Sequence, residues 1–330
     1  MPRLSDLNFH GTGLSRPECV ICHASGLIFA ADWTGNGGIT VTFEDGVIDR
    51  ILARDAPRPM RPNGFALEPG GTFLLADLGT EEGGIWRLDA QGSVTPVLTS
   101  LDGRPLPPSN FVHRDKQGRL WVTISTYQVP RDRAYRADVS DGCIISIIDG
   151  KAQLAADGLG YTNECIVAPD GEHLYVNETF ARRTSRFPIL ADGSLGTKEI
   201  VATYGAGTFP DGLCFDAEGG FWITSIISNR IIRVDSQGRQ TIMLEDSDAK
   251  HLAWVEDAFQ AGQLGRPHLD RIESKLLRNV SSLAFGGKDL CTAYLGCLLG
   301  DAIASFASPV AGEPPSHWDI ELGPLARYLT

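Results

Sequence analysis

One arrangement of polar and apolar positions recurs along the chain. In its clearest copy, Phe209-Pro210-Asp211-Gly212-Leu213-Cys214-Phe215 is followed by the turn Asp216-Ala217-Glu218-Gly219-Gly220 and the run Phe221-Trp222-Ile223-Thr224-Ser225. A polar residue, a short apolar run, a glycine turn and a second apolar run read as a hairpin with a polar group at its mouth. Glu18, Asn63, Asn110, Asn163 and Asp211 open five such copies, each fourteen places before Asp32, Asp77, Ile124, Asn177 and Ser225 respectively.

The opening residues are 45, 47, 53 and 48 positions apart, close to the roughly 40 to 50 residues of a propeller blade. A further strand pair follows each copy, as in Gly38–Phe43 with Glu44-Asp45-Gly46 and Gly84–Asp89 with Ala90-Gln91-Gly92. Four short strands per unit, joined by Gly and Asp turns, define a blade. A sixth unit begins near Asn279, and Leu7-Asn8-Phe9-His10 is placed to supply its outer strand, hiding the sheet edges. The predicted fold is all-β: a six-bladed β-propeller, residues 1–330 forming a single domain, with a short helical insertion between blades five and six.

That insertion spans about 245–278, where Ser247-Asp248 followed by Leu252, Val255 and Phe259 predicts a capped amphipathic helix. A shorter one, Ser125 to Asp141, separates strands two and three of the third unit. Both are expected to border the face carrying the five polar positions, as a lid or substrate wall.

Composition narrows the function. The chain has 37 Gly and 19 Pro against three Met, in keeping with many turns and few long helices. A net charge of −12 argues against nucleic acid and anionic membranes, which both demand clustered Lys and Arg. With no apolar stretch of spanning length and no leader-like start, a cytoplasmic protein acting on a small molecule is expected; a homo-oligomer is left open. Seven cysteines fit reduced thiols, with Cys19, Cys165 and Cys214 packing as small hydrophobes. Cys19-Val20-Ile21-Cys22-His23 has the form of a haem attachment motif but lies inside a repeated hairpin, so it is set aside.

Inner strands converge on the axis of a propeller, bringing the five polar residues together. Two carboxylates, Glu18 and Asp211, would repel there unless a cation lay between them. With Asn donors and no His or Cys, the set suits one divalent cation, calcium first, with magnesium, manganese or zinc as alternatives.

The segments Pro17-Glu18, Ser109-Asn110 with Asp115-Lys116-Gln117-Gly118-Arg119-Leu120-Trp121, Asn163 before Ala168-Pro169-Asp170-Gly171, Pro210-Asp211-Gly212-Leu213 and Ser281-Ser282-Leu283-Ala284-Phe285-Gly286-Gly287 resemble the senescence marker protein, gluconolactonase and luciferin-regenerating enzyme family. The resemblance implies a six-bladed propeller with a central divalent cation, held by Glu18, Asn163 and Asp211, with Asn110 as fourth ligand or substrate contact. It also implies that Asp211 is base or nucleophile, with Asn110 beside it in catalysis. The expected activity is metal-dependent hydrolysis of a lactone or related ester. The alternatives are phosphotriester hydrolysis, a lyase or isomerase step, and a non-catalytic metal-binding propeller.

This chain departs from the sugar lactonases of that family at Pro108, Phe111, Gln128 and Thr162-Asn163-Glu164. With Trp33, Phe111, Tyr127, Tyr161 and Phe209 near the ring and Asn63 as a further contact, a less polar, aromatic substrate is expected. Arg131, Arg133, Arg136, Arg182 and Arg183 form a basic island able to meet a substrate carboxylate, and His251 and Trp254 are placed to reach over the mouth.

Overall fold

The computed structural model describes residues 1–43, 46 and 48–329. Glu44 and Asp45, the sequence-predicted turn of the first unit, lie outside the described residues. Six four-stranded antiparallel sheets are arranged as blades. Their inner strands are Val20–Cys22, Pro62–Glu68, Ser109–Arg114, Thr162–Val167, Phe209–Phe215 and Val280–Gly286.

The first five blades run through sequence in order, strand by strand. The sixth borrows its outer strand: Asn8–His10 pairs with Ile303–Ala307 in the register Asn8↔Ser305, Phe9↔Ala304, His10↔Ile303. Pairing the N-terminal strand with the last blade closes the ring, as the need to cover the sheet edges led us to expect; the register itself was not legible in the sequence.

Local sequence fixes the turns. In blades three and five an aspartate just after the inner strand gathers the following turn and a tryptophan on the next strand. Asp115 accepts from the backbone of Gln117 and Arg119 and from Trp121 Nε1 at 3.0 Å. Asp216 does the same with Glu218, Gly220 and Trp222 Nε1 at 2.9 Å. Both indoles are fully buried, so each carboxylate satisfies a donor that would otherwise be stranded in the core.

The helical insertion forms α1 (Ala249–Gln260) and α2 (Arg266–Asp270). Asp248 caps α1 by accepting from the His251 amide. Val255, Ala258 and Phe259 of α1 share one apolar cluster with Ala134 and Tyr135 of the blade-three insertion and with Tyr161, Phe180 and Phe209. The two insertions thus pack against a common core above blades four and five, on the face the sequence assigned to both.

The tail supplies a feature the repeats do not contain. From Gly312 it crosses the opposite face: Gly312 bridges Asp216, Ser316 Oγ donates to the Arg114 carbonyl, and Ala24 donates to the Trp318 carbonyl. Leu322 and Leu325 then bury themselves against the core of blades one and two. The strap lies directly on the turn at Gly71, where φ is +78° and a Cβ would stand 2.0 Å from the Leu322 carbonyl oxygen. Only glycine meets both conditions.

Candidate functional site

The polar positions converge because of a repeated irregularity. In five inner strands the ladder slips at the ring residue, between Pro62 and Phe65, Ser109 and Phe111, Thr162 and Cys165, Pro210 and Leu213, and Val280 and Ser282. A bulge leaves one residue out of the pairing and re-aims its side chain. Asn63, Asn110, Asn163, Asp211 and the sixth-blade Ser281 are the residues so released, while Glu18 lies just before the strand of blade one.

Hydrogen bonds then fix the side chains of Glu18, Asn63, Asn163 and Ser281. Asn63 Nδ2 donates to Glu18 Oε1 at 2.9 Å and to the Asn110 carbonyl at 3.1 Å, and its Oδ1 accepts from Arg16 at 3.2 Å. Thr179 donates its hydroxyl to the Pro210 carbonyl, which leaves Thr179 Oγ1 as an acceptor for Asn163 Nδ2 at 3.0 Å. The Asn163 amide is thereby oriented with Oδ1 turned away from Thr179. Ser281 Oγ donates to the Glu18 carbonyl at 2.7 Å, tying blade six to blade one.

What remains is a set of buried oxygens with no hydrogen-bond partner: Glu18 Oε2, Asn110 Oδ1, Asn163 Oδ1 and Asp211 Oδ1. Each belongs to a residue at most 5% exposed. Four orphaned acceptors at equivalent blade positions form a donor set of oxygens alone, two of them from carboxylates. Such a set fits a hard divalent cation.

The electrostatics agree. Burial pushes Glu18 up to about 7, against the pull of Arg16 and Arg131 and of the Asn63 bond. Asp211 is held well above the carboxylate range by burial and by the Glu18 charge, again opposed by Arg16 and Arg131. A positive ion between them would return both to the ionised form.

One layer deeper the channel is filled by alternating bulk. The residues following the ring positions are Cys19, Gly64, Phe111, Glu164, Gly212 and Ser282. Phe111 occupies the space beside Gly64, where a Cβ would come within 2.1 Å of its ring. Glu164, 6% exposed, accepts from the Leu213 amide at 2.9 Å beside Gly212. Below them lies a cavity of about 180 Å³, lined by Cys19, Phe65, Phe111, Glu164, His113 and the strap residue His317, among others.

The structure therefore sorts the sequence-predicted residues. Glu18, Asn110, Asn163 and Asp211 come together with free oxygens. Asn63 joins them, but both its polar atoms are committed within the ring, so it positions Glu18 rather than meeting substrate. Phe111 faces the lower cavity, beneath the ring. Phe209 is fully buried, edge-on to Phe259 of α1, and so is core. Tyr127 is 52% exposed and reaches Cys143 on the outer side of blade three, among Ser140, Asp141 and Leu154. Tyr161 and Trp33 stay close to the ring, each beneath an arginine.

Other expectations resolve similarly. Arg136, Arg182 and Arg183 are engaged by Asp138, Glu256 and Glu178. Of the basic island, Arg131 is the member whose charge acts on both Glu18 and Asp211. His251 binds the His268 carbonyl and Trp254 stacks on the His268 ring, holding α1 to α2 rather than covering the mouth. Asp170, Glu172 and His173 cluster on an exposed turn at the far end of the blade-four inner strand, away from the ring. Cys19 and Cys165 are buried thiols, while Cys214 is half-buried, and burial raises all three above the usual thiol range. Arg16 and Ser281 escaped the sequence reading. Ser281 had a signal, since it stands at the sixth equivalent position; Arg16 had none.

Residues 16–246 match the model of the SMP-30/gluconolactonase/LRE-like region. A 6-deoxy-6-sulfogluconolactonase from Pseudomonas putida is 26% identical over 235 residues, spanning 70% of this chain and 67% of that protein. A calcium-binding regucalcin from Agrobacterium tumefaciens superposes with a TM-score of 0.64 at 17% identity, over 98% of this chain and 95% of its own. For a gluconolactonase from Xanthomonas campestris the values are 0.63, 20%, 93% and 91%. These two likenesses establish the propeller, and the family match over most of its length establishes that the chain belongs to the SMP-30/gluconolactonase/LRE-like family.

Proposed function

We propose that the protein is a divalent-metal-dependent hydrolase that opens a lactone or related cyclic ester of a small molecule. The observation that carries this reading is the convergence of the four orphaned oxygens of Glu18, Asn110, Asn163 and Asp211 in one buried ring. These residues would hold the cation. When bound, it supplies a Lewis acid for an ester carbonyl oxygen. The relative acting on a sulfogluconolactone and the gluconolactonase neighbour support a lactone as the bond attacked, and the calcium-binding neighbour supports calcium as the ion.

The chain's own groups account for the rest. The Asp211 carboxylate, ionised once its charge is balanced, takes a proton from water on the oxygen that does not hold the cation, as the water oxygen bonds to the carbonyl carbon. The ring C–O bond then breaks, and the leaving alkoxide regains a proton to give the hydroxy acid. Asn63 and Thr179 keep Glu18 and Asn163 in place throughout, so the site is built before substrate arrives. Of the aromatics expected to form a substrate wall, Tyr161 and Trp33 remain near the ring. An aromatic substrate therefore rests on these two.

The test is metal removal with a chelator, then turnover of a lactone panel after adding back calcium, magnesium, manganese or zinc. Activity that disappears on stripping and returns with one ion supports the reading. Full activity in the stripped protein refutes it.

A further inference from the structure

Two arginines overlook the ring without an ion pair of their own. Arg16 donates to Asn63 Oδ1 at 3.2 Å, and its guanidinium lies 4.5 Å from the centroid of Trp33. Arg131, brought in by the blade-three insertion, donates to Ser125 Oγ at 3.1 Å and lies 5.6 Å from the centroid of Tyr161. The Nε of each is buried with no acceptor. Among the described residues neither comes within salt-bridge distance of a carboxylate, whereas Arg136, Arg182, Arg183 and Arg266 all do. Arg16 is also held at φ +55°, a left-handed backbone that a non-glycine residue adopts only at a cost.

Charge balance shows what is missing. Glu18 and Asp211 act electrostatically on both arginines, and the two arginines act unfavourably on each other. Once a divalent cation is held by the two carboxylates, its charge cancels theirs. Two guanidinium groups are then left at a partly buried mouth without a counter-charge, and desolvated charge without a partner is costly. A planar guanidinium with a free Nε–H is suited to an oxyanion, which accepts from its fork.

We infer that the substrate carries an anionic group, a carboxylate, sulfonate or phosphate, received between Arg16 and Arg131 while the ester carbonyl lies on the ring oxygens' side. The inference rests on the hydrolase reading for the bond that is broken, but the anion site stands on the arginines alone.

The test compares γ-butyrolactone-γ-carboxylate with its methyl ester on the metal-loaded full-length protein. The expected result is a kcat/KM preference for the carboxylate of about 10- to 100-fold, the range of one or two charge-assisted hydrogen bonds. Arg131→Gln should narrow that preference at least ~tenfold through KM rather than kcat, and Arg131→Lys should restore part of it. Equal use of both lactones by the native protein, or a loss in Arg131→Gln that falls equally on both, overturns the inference. Calorimetric titration with the ring-opened hydroxydicarboxylate reads the anion site without turnover. Binding that weakens in Arg131→Gln supports the anion site even where neither lactone is opened, a case in which the hydrolase reading alone fails; no binding to the native protein overturns the anion site.

Discussion

The two ends of the central channel are made from different materials. The upper end is built from the repeat: equivalent residues on equivalent bulges, each delivering one polar side chain to the axis. The lower end is closed by the tail, which belongs to no blade and lays Glu313–His317 beneath the cavity. At the upper end buried carboxylate and amide oxygens are left without partners; at the lower end apolar walls, the Glu164 carboxyl and the imidazoles of His113 and His317, whose Nε2 atoms also lack partners, line a cavity. Repetition brings equivalent oxygens to one point on the axis, where a ligand can satisfy them, and a single non-repeated segment covers the opposite face.

The largest effect that sharpens this contrast is at Asp211. Asp211→Asn keeps the size of the side chain and removes the charge and the base. A fall in kcat of about 10²- to 10⁴-fold is expected, with the circular dichroism spectrum and unfolding midpoint preserved. An Asp211→Asn protein with native turnover would move the chemistry away from the upper end altogether.

Next comes the strap. Leu325 is fully buried in the core shared by blades one and two. Leu325→Ala removes three heavy atoms there and should cost about 2–5 kcal/mol in urea unfolding. Turnover at a temperature where the variant is still folded should change less than about threefold. An unchanged midpoint would mean that the tail rests on the propeller without closing it.

The upper end was legible in the sequence because its signals are local. Alternation of apolar residues, a turn glycine and a polar residue at constant spacing are all visible within a single hairpin. The Asp248 cap of α1 was legible for the same reason. The bulges were not, since a slip in register depends on the neighbouring strand. Arg16 was hidden by its own chemistry: an arginine two places before Glu18 resembles Arg61 before Asn63, and only the folded chain shows that Arg16 bonds the ring. Phe209 and Tyr127 show the converse error. Sequence proximity to the ring was taken for facing it, but the first is covered by α1 and the second turns outward along blade three. The strap lacks periodicity, so its apolar residues Leu322 and Leu325 gave no sign of their destination.

A smaller effect separates the two ends by pH. Burial, with the charges of His113 and His23 added, pushes the His317 imidazole down to about 3 from an ordinary 6.5. Its folded-state value is depressed, so the unfolded chain takes up a proton that the folded chain refuses. Stability is therefore complete above about 6.5 and falls as pH drops from there toward 3. His113, pushed by burial to about 4, adds in the same direction. His317→Gln should flatten the fall in urea midpoint between pH 7 and pH 5. If its profile follows that of the native protein, the lower end does not carry the acid sensitivity.

The smallest effect is expected at Glu164, and it is the most discriminating, because this carboxyl lies between the two ends. Its side chain sits directly below the ring, close enough for Asp211 and Glu18 to raise its pKa, yet the bond it makes is to the Leu213 amide and its surroundings are those of the lower cavity. Burial is the first cause holding it well above the carboxylate range, with the charges of Asp211 and Glu18 adding to it and the Leu213 bond opposing it. Glutamine reproduces the carboxyl's shape and still accepts from Leu213. Glu164→Gln should leave both kcat and cation affinity within about threefold of the native values, measured by lactone turnover and by calorimetric titration with calcium. A loss approaching that of Asp211→Asn would mean that the carboxyl ionises and joins the ring, and the boundary between the two ends would then fall one layer deeper in the channel.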